Sequence, residues 1–377
     1  MTTKKNRQLR DGLTTGTCAA AAAAAAVDLF LKKSLCTVSV HLPNTKETVS
    51  VAVHSSGMAD APGGAKMVSA TVIKDAGDDP DITNGAYVNA QLTIVKSSVT
   101  RIAIEGGDGV GRVTRPGLPV AVGGPAINPV PRAMIEQEIR RRLPLDEGFC
   151  VNVVISVKDG KKLAQKTLNP RLGIVGGISI LGTSGIVKPF SAKSYKDTID
   201  ICLKSASTDN QKRCVLSTGR RSERLAQAFY RELNERCFVQ IADFFAYALR
   251  KAVDLGFEEI VLTGYFGKLC KWAMNMTYTH AKSGLTDFAY LSRLAAEAGL
   301  SEEFCDFVET ANNARHIFES CDPQLPMFVE TIGQKALQNA AQIIGYRAYL
   351  SICLWDFSEL LYKQWEVKAN DAGNKTL

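Results

Sequence analysis

Aromatic residues are scarce in this sequence: Phe, Trp and Tyr together make up 7% of its 377 residues. Nucleic-acid binders stack bases on aromatic side chains and concentrate basic residues on one face. Here the net charge of +7 comes from basic residues scattered along the chain. The sequence therefore argues against a nucleic-acid partner. A small polyanionic ligand would fit the charge, although a solvated basic surface explains it equally well.

Metal-binding and membrane-spanning patterns are also missing. The ten cysteines form no Cys-x-x-Cys pair and no zinc-finger spacing, so we expect no protein-bound metal and free thiols in a reducing compartment. The Ala-rich run 18–31 follows four basic residues, as in a signal peptide, but it contains Asp28. It is also shorter than the roughly 20 residues that cross a bilayer. We therefore expect a cytoplasmic protein with no membrane partner.

The first part of the chain has the pattern of an α+β domain. Apolar and polar residues alternate over 36–53, 66–73, 86–95, 101–104 and 151–157, which predicts strands. The Ala-rich run should form a buried helix capped by Thr15 or Thr17, and residues 129–142 should form a second helix. We predict an α+β domain over 1–165 with a largely antiparallel sheet, which C-terminal helices could complete.

A different pattern follows. Buried apolar runs at 174–181, 214–216 and 260–262 each end in a turn rich in Gly and Thr, and helical patterns lie between the last two. Strands that alternate with helices predict an α/β domain with a parallel sheet, here over 166–377 with a helical C-terminal part. Ligands bind at the carboxyl ends of such strands, so these turns are candidate ligand contacts.

Two loops could carry chemistry. Four carboxylates fall within seven residues at Asp75, Asp78, Asp79 and Asp81, where they could bind a divalent cation, supply a general base, or form hydrogen bonds with cationic or N–H groups. The alternative explanation is a solvated acidic turn. The Gly-rich segment 105–112 follows a strand, but no helix follows it, so it lacks the context of a dinucleotide fingerprint. A third segment, 263–269, has a spacing too short for a Walker motif. Neither Gly-rich segment therefore favours a nucleotide-dependent enzyme.

Six segments in this order resemble the cobalt-precorrin-5B C1-methyltransferase (CbiD) family: 14–20, 74–81, 105–115, 126–132, 169–187 and 267–269. The likeness extends from about Leu9 to Asp287. It implies an α+β domain joined to a Rossmann-like α/β domain. It also implies transfer of a methyl group from S-adenosylmethionine to C1 of cobalt-precorrin-5B, giving cobalt-precorrin-6A, with cobalt present only in the substrate. The expected partners are this anionic cobalt-tetrapyrrole and neighbouring cobalamin-pathway enzymes.

Some positions depart from the family's pattern. Arg221-Ser222-Glu223 stands where a further glycine is usual, Gly264-Tyr265 replaces Gly-His, Ala242-Asp243 replaces Ser-Asn, and Thr279-His280-Ala281 replaces Thr-His-Ser. These changes cluster in the second half of the chain. They leave open an alternative, a corrinoid-binding relative that has lost catalysis.

Residue type and position assign candidate roles, and for each residue a structural role is an equally good explanation. Candidate catalytic carboxylates, which could remove a proton or stabilise charge on the ring, are Asp75, Asp78 and Glu105. Candidate donor-binding residues are Gly182, Thr183, Thr218, Gly219 and Gly264. Candidate substrate-binding residues are Thr15, Thr17, Lys74, Arg112, Asn128, Arg132, Lys268 and His280.

Overall fold

The computed structural model describes residues 9–33, 36–62, 65–144, 147–208, 211–279 and 285–369. The chain divides into two compact units, Met1–Ser191 and Ala192–Leu377. Both units combine helices with sheets, and the larger sheet of each unit contains parallel and antiparallel strand pairs. The protein is therefore a mixed α/β protein with mixed sheets.

The first unit contains three helices and thirteen strands in its described residues. The elements are β1 Gly12–Leu13, α1 Thr15–Phe30, β2 Thr37–His41, β3 Thr48–Ala52, β4 Ser55–Asp60, β5 Lys66–Ile73, β6 Tyr87–Ser97, β7 Arg101–Gly106, β8 Gly109–Val110, β9 Arg112–Val113, α2 Pro129–Arg142, β10 Gly148–Val157, α3 Gly160–Ala164, β11 Ile174–Val175, β12 Gly177–Ile178 and β13 Ile186–Val187. The main sheet has the order β4-β5-β6-β10-β7, antiparallel except for the parallel pair β10 and β7.

Helix α1 lies in the core of this unit. Its residues from Thr15 to Val27 are all buried, and the helix packs against α2 and against strands β5 and β6. Alanine side chains allow this close approach and have the best helix propensity. The cap is Thr14, not the expected Thr15 or Thr17: Thr14 has extended backbone, and its Oγ1 accepts the backbone N–H of Thr17 at 3.1 Å.

The segment 166–191 belongs to the first unit, whereas the sequence predicted a boundary after residue 165. Residues 174–181 were expected to begin the parallel sheet, and that expectation is wrong. They form two short strands, β11 and β12, which pair with β9 and β8 of the first unit. An apolar run flanked by glycines cannot tell which sheet its backbone joins, because burial in either sheet gives the same pattern.

The second unit begins at Ala192. Its elements are α4 Ala192–Ser207, β14 Arg213–Ser217, α5 Arg220–Phe229, a 3-10 turn Glu235–Cys237, β15 Phe238–Gln240, α6 Phe245–Asp254, β16 Glu259–Tyr265, α7 Phe266–Ala273, α8 Phe288–Glu297, α9 Glu302–Thr310, α10 Ala314–Phe318, α11 Leu325–Ile343, β17 Tyr349–Trp355 and β18 Leu361–Val367. The helices α8 to α11 match the expected helical C-terminal part. The strands β17 and β18 were missed.

The sheet of the second unit has the order β15-β14-β16-β17-β18. The first four strands are parallel, and β18 adds an antiparallel edge. The chain passes from β14 to β15 on one side and then returns to β16 on the other side of β14. The carboxyl ends of β14 and β16 therefore flank the point where the strand order reverses, which is where open α/β sheets bind ligands.

Candidate functional site

The four acidic residues of the 75–81 loop do not converge on one point. Arg10 forms a bidentate ion pair with Asp75, and its backbone N–H donates to Asp78 at 2.8 Å. Asp79 accepts the backbone N–H of Phe190 at 3.2 Å. Within the described residues no group of three or more acidic, His or Cys side chains could hold a metal ion. Of the three uses proposed for this loop, cation binding therefore has no support in the geometry.

Asp75 is held in its charged form. The hydrogen bond from the Arg10 guanidinium, followed by that from the backbone N–H of Gly77, lowers the pKa of the Asp75 carboxyl. A carboxylate that is already ionised and paired can stabilise positive charge, but it is a weak proton acceptor. The geometry thus favours an electrostatic role for Asp75 over a role as general base.

Lys74 is buried deeply in this loop. Its side chain is 1% exposed, and its Nζ donates to Asp81 Oδ2 at 2.7 Å. Burial raises the pKa of Asp81, but the hydrogen bonds from Lys74 and Thr83 outweigh that effect and hold the pKa below its ordinary value. Lys74 could reach a substrate carboxylate only by leaving Asp81, so its contacts fit a structural role.

The candidate residues at the start of α1 hold the 179–185 loop. Thr15 Oγ1 accepts the backbone N–H of Leu181 at 2.9 Å, and Thr17 Oγ1 donates to the carbonyl oxygen of Gly185 at 2.7 Å. A Cβ at Gly182 would lie 2.4 Å from Thr14 Cβ. The Gly16 N–H also donates to the carbonyl oxygen of Leu181 at 2.9 Å. The 179–185 loop therefore covers the N-terminal end of α1.

The Cys18 thiol lies in the same first turns of α1. It is completely buried, and burial raises its pKa to about 12. The thiol is therefore protonated near neutral pH and is not a nucleophile.

Glu105 and Arg112 are two of the exposed charges of the Gly-rich loop. Their side chains are 61% and 57% exposed, and Arg112 Nη2 lies 3.9 Å from Glu105 Oε2. Asn128 is the N-cap of α2 but caps it without a side-chain hydrogen bond. Arg132 donates to the carbonyl oxygen of Ile104 at 3.1 Å. Of the two candidate catalytic carboxylates that form ion pairs, Asp75 and Glu105, Glu105 has the longer one.

In the second unit, three candidate residues lie at the carboxyl ends of β14 and β16. The Thr218 N–H donates to the carbonyl oxygen of Thr263 at 3.2 Å, and Gly219 is the N-cap of α5. A Cβ placed on Gly264 would meet Thr218 Oγ1 at 3.3 Å. Thr218, Gly219 and Gly264 are thus neighbours in one crevice. The other two candidate donor-binding residues, Gly182 and Thr183, belong to the first unit.

The crevice leaves room for a ligand beside Gly219. A Cβ at this position would have no heavy atom of the other described residues within 4 Å, its chain neighbours aside. The backbone at Gly219 is extended, with φ 176° and ψ 178°, so its conformation does not require glycine. The absent side chain therefore leaves space at the start of α5, where the helix dipole favours negative charge.

Three polar atoms near the same strand ends were not found from the sequence. Ser217 Oγ, Tyr265 Oη and Trp272 Nε1 are each buried without a hydrogen-bond partner among the described residues. Ser217 and Tyr265 end β14 and β16, and a Cβ on Gly264 would approach Trp272 at 3.2 Å. Buried polar atoms without partners are rare and call for a ligand, water or ion. The only sequence signal was that Ser217 and Tyr265 adjoin the Gly/Thr turns.

Lys268 lies in α7, which follows β16 directly. Its Nζ bonds Asp243, and it donates to Thr279 Oγ1 at 3.1 Å; that hydroxyl donates in turn to Asp243 at 3.0 Å. This cluster joins α7 to the loop that precedes α6. Lys268 was expected to bind a substrate carboxylate, and its present partner is a carboxylate of the chain itself. His280 lies outside the described residues.

The described helices include none with the length and apolar character of a membrane span.

Known proteins show where this chain belongs. The family model described as CbiD matches residues 2–189, and the model described as CbiD, C-terminal domain, matches residues 278–365. The Cobalt-precorrin-5B C(1)-methyltransferase of Geobacillus thermodenitrificans is 41% identical over 350 residues, which cover 92% of this chain and 91% of that protein. The enzyme of the same name from Citrifermentans bemidjiense is 39% identical, covering 94% and 98%.

A crystal structure is also similar in sequence. It is described as cobalamin biosynthesis protein (cbiD) from Archaeoglobus fulgidus, with 30% identity, a TM-score of 0.35, and coverage of 71% of this chain and 80% of that one. The resemblance found in the sequence motifs is confirmed by the family models and by the relatives, whose similarity extends over nearly the whole chain. The chain belongs to the CbiD family.

Proposed function

We propose that this protein transfers a methyl group from S-adenosylmethionine to C1 of cobalt-precorrin-5B, giving cobalt-precorrin-6A in anaerobic cobalamin biosynthesis. The observation that carries the proposal is that relatives named for this reaction are 41% and 39% identical over more than nine-tenths of the chain. Similarity of this extent includes both units. The reaction class is a C-methyl transfer.

We place the methyl donor at the carboxyl ends of β14 and β16, in a Rossmann-like arrangement of the second unit. Three observations support this: the reversal of strand order between these strands, the open space at Gly219, and three buried polar atoms without a hydrogen-bond partner in the described part of the chain. These atoms are Ser217 Oγ, Tyr265 Oη and Trp272 Nε1. These residues fit a ligand with several polar groups. Gly219 and Thr218 would orient it through backbone and hydroxyl contacts. Gly182 and Thr183 remain a prediction that the geometry does not favour.

The donor supplies an already activated methyl group, whose bonding electrons return to sulfur when the methyl moves to the ring carbon. The protein's work is then alignment and exclusion of water rather than covalent catalysis. Among the candidate catalytic carboxylates we favour Glu105, because its side chain is exposed and only loosely paired with Arg112. Asp75 and Asp78 would contribute a fixed negative field.

For the acidic side chains of the substrate we favour Arg112 among the predicted residues of the first unit. It is exposed, and its guanidinium keeps donors available beyond its hydrogen bond to the carbonyl oxygen of Gly123 at 2.9 Å. All ten cysteines are free thiols, which suits a reducing compartment, so we place the protein in the cytoplasm. Neighbouring cobalamin-pathway enzymes as partners remain a prediction.

The test is mass spectrometry of tetrapyrroles in cells that accumulate cobalt-precorrin-5B, with and without this protein. Gain of one methyl group on expression is the expected result. A substrate left unchanged in the presence of folded protein would overturn the proposal and favour the corrinoid-binding relative without catalysis.

A matched pair of variants ties the activity to the crevice. Gly219→Leu puts a bulky side chain at a position where a Cβ meets no described atom within 4 Å, so the protein should fold while the methylated product disappears. Gly57→Leu is the control, because a Cβ there meets only Ser69 Oγ at 3.8 Å, an ordinary contact on exposed strand β4. Equal product from both variants would remove the donor from this crevice.

A further inference from the structure

The second unit has a groove that none of the assignments above uses. It lies between α4 and α6, opens at the surface and has a volume of about 610 Å³. Its lining is basic and aromatic: Lys196, Phe244, Tyr247, Arg250, Lys251 and Tyr278. Concave sites of this size are typical of small-molecule binding, with an apolar surface and a few polar groups that orient the ligand.

The charges in the groove are unbalanced. Lys251 is paired with Asp200 at 3.1 Å, and Asp254, which also lines the groove, faces Arg347 at 3.6 Å. Lys196 and Arg250 have no carboxylate partner in the part of the chain that the structure describes. The positive charges of Lys196 and Arg250 are thus not neutralised by a carboxylate of the described residues. A ligand with two negative charges would neutralise both.

The aromatic side chains of the groove form one continuous surface. The Phe244 ring stacks on Tyr195 with centroids 5.4 Å apart and contacts the Tyr278 ring at 5.0 Å. Lys196 Nζ lies 5.1 Å from the centroid of Tyr247. Packing of this kind fixes the rings and the ammonium group before a ligand arrives, which reduces the entropy cost of binding.

The groove adjoins the crevice through the Lys268 cluster. Phe244 and Tyr278 are the sequence neighbours of Asp243 and Thr279, and both of these bond Lys268 of α7. Helix α7 begins directly after Tyr265, the last residue of β16. The end of the groove at Phe244 and Tyr278 is therefore linked through α7 to the strand ends at which we place the methyl donor.

We propose that this groove binds the carboxylate-bearing edge of the tetrapyrrole substrate. Lys196 and Arg250 would pair with its acidic side chains, and Phe244, Tyr247 and Tyr278 would contact the flat ring. The methyl donor suits the groove less well, because its sulfonium and amino groups are positive and it has one carboxylate. That the polyanion is a tetrapyrrole rests on the proposed function; that the groove takes a planar polyanion rests on the groove alone.

The test uses uroporphyrin, a flat tetrapyrrole with eight carboxylates, as the probe. Its dissociation constant is measured by equilibrium dialysis for the full chain and for the double variant Lys196→Gln/Arg250→Gln. We expect about tenfold weaker binding by the variant, because two charge-assisted contacts are lost. The matched control is Lys204→Gln/Lys335→Gln, which removes the same charge from α4 and α11 outside the groove. This control should bind like the unchanged protein.

Two results would overturn the proposal: equal affinity of the two double variants, or displacement of uroporphyrin by an equal concentration of inorganic pyrophosphate, which carries charge but no flat ring. The two proposals also fail separately. Methylation in cells together with an unchanged dissociation constant for Lys196→Gln/Arg250→Gln sinks the groove alone. Absence of methylation together with the expected loss of uroporphyrin binding sinks the methyltransferase assignment and leaves the groove as a polyanion site.

Discussion

Glycines in the loops of the two units look alike in sequence but have different surroundings. In the first unit a Cβ on Gly109 would lie 1.9 Å from the carbonyl oxygen of Val157, and one on Gly12 would lie 2.0 Å from the carbonyl carbon of Ala76. In the second unit Gly219 faces open space. The first set of glycines permits backbone to pack on backbone, and Gly219 leaves room. The same residue type therefore marks close backbone packing at Gly12 and Gly109 and open space at Gly219.

The polar groups of the two units differ in the same way. In the first unit Thr15, Thr17 and Lys74 each have a partner within the loops they hold together. In the second unit Ser217 Oγ and Tyr265 Oη have none among the described residues. Buried polar groups that are hydrogen-bonded within the protein stabilise its fold. Buried polar groups without such a partner are available to hydrogen-bond a ligand. This contrast is why we assign the donor to the second unit.

The largest expected effect tests the closed loops directly. Gly109→Ala should lower the free energy of unfolding by about 4 kcal/mol, because the new Cβ overlaps Val157 and Gly109 has φ +74°. Gly123→Ala is the control: its φ is +86°, but no atom lies within 4 Å, so only the backbone term of about 1 kcal/mol remains.

The readout must separate the two units. All three tryptophans, Trp272, Trp355 and Trp365, lie in the second unit, so their fluorescence reports its unfolding in urea. Hydrogen exchange measured peptide by peptide reports the first unit. Equal losses for Gly109→Ala and Gly123→Ala would show that conformation rather than packing fixes Gly109, and the comparison between the units would lose its basis.

A smaller effect concerns the buried ion pair of the first unit. Asp81→Asn leaves the Lys74 ammonium buried without a charged partner, which should cost about 3 kcal/mol at neutral pH. The control is Asp108→Asn, which breaks an ion pair of the same 2.7 Å length between side chains that are 67% and 76% exposed. That substitution should leave stability unchanged.

The pH dependence has a definite sign. The pKa of Asp81 is lower in the folded protein than its ordinary value of about 3.9. Its contribution is therefore complete above that value and is lost as the pH falls through the lower folded value. Acid titration of first-unit exchange protection should show this loss in the unchanged protein and in Asp108→Asn, but not in Asp81→Asn. The same acid response in all three would remove Asp81 as the cause.

The parts of the fold that follow from local pattern were predictable. The strand over 66–73 and the helix over 129–142 match β5 and α2 residue for residue, because alternation and the Pro-containing helix start are local signals. The partner of residues 174–181 was not predictable, because pairing with β8 and β9 is a tertiary property. Strands β17 and β18 were missed because they follow four helices in a segment with mainly helical pattern.

The sequence predicted which segments contribute to the candidate site better than it predicted the role of each residue in them. Thr218, Gly219 and Gly264 were selected as strand-end residues, and they do lie together. Thr15, Thr17 and Lys74 were selected by residue type, and their partners are other atoms of the chain. Ser217, Tyr265 and Trp272 were not selected at all. Whether a polar atom has a partner is decided by the fold, and no sequence pattern reports it.

The smallest expected effect tests the open crevice, with two buried hydroxyl groups that differ in one respect. Ser217 Oγ has no partner in the described part of the chain, whereas Thr263 Oγ1 accepts a hydrogen bond from Trp355 Nε1. Thr263→Val leaves the buried indole N–H of Trp355 without its acceptor and should lower the free energy of unfolding by about 2 kcal/mol. Ser217→Ala removes a group that was never satisfied, so stability should stay unchanged or rise by up to about 1 kcal/mol.

Ligand binding should respond in the opposite direction to stability. Ser217→Ala should weaken binding of S-adenosylhomocysteine, measured by calorimetric titration, because a hydroxyl that has no partner among the described residues is available to the donor. Urea unfolding followed by tryptophan fluorescence gives the stability half of the test. A loss of stability in Ser217→Ala comparable to that in Thr263→Val would mean that both hydroxyls serve the fold. The strand ends of the second unit would then be as closed as the loops of the first, and the donor would have to be sought elsewhere.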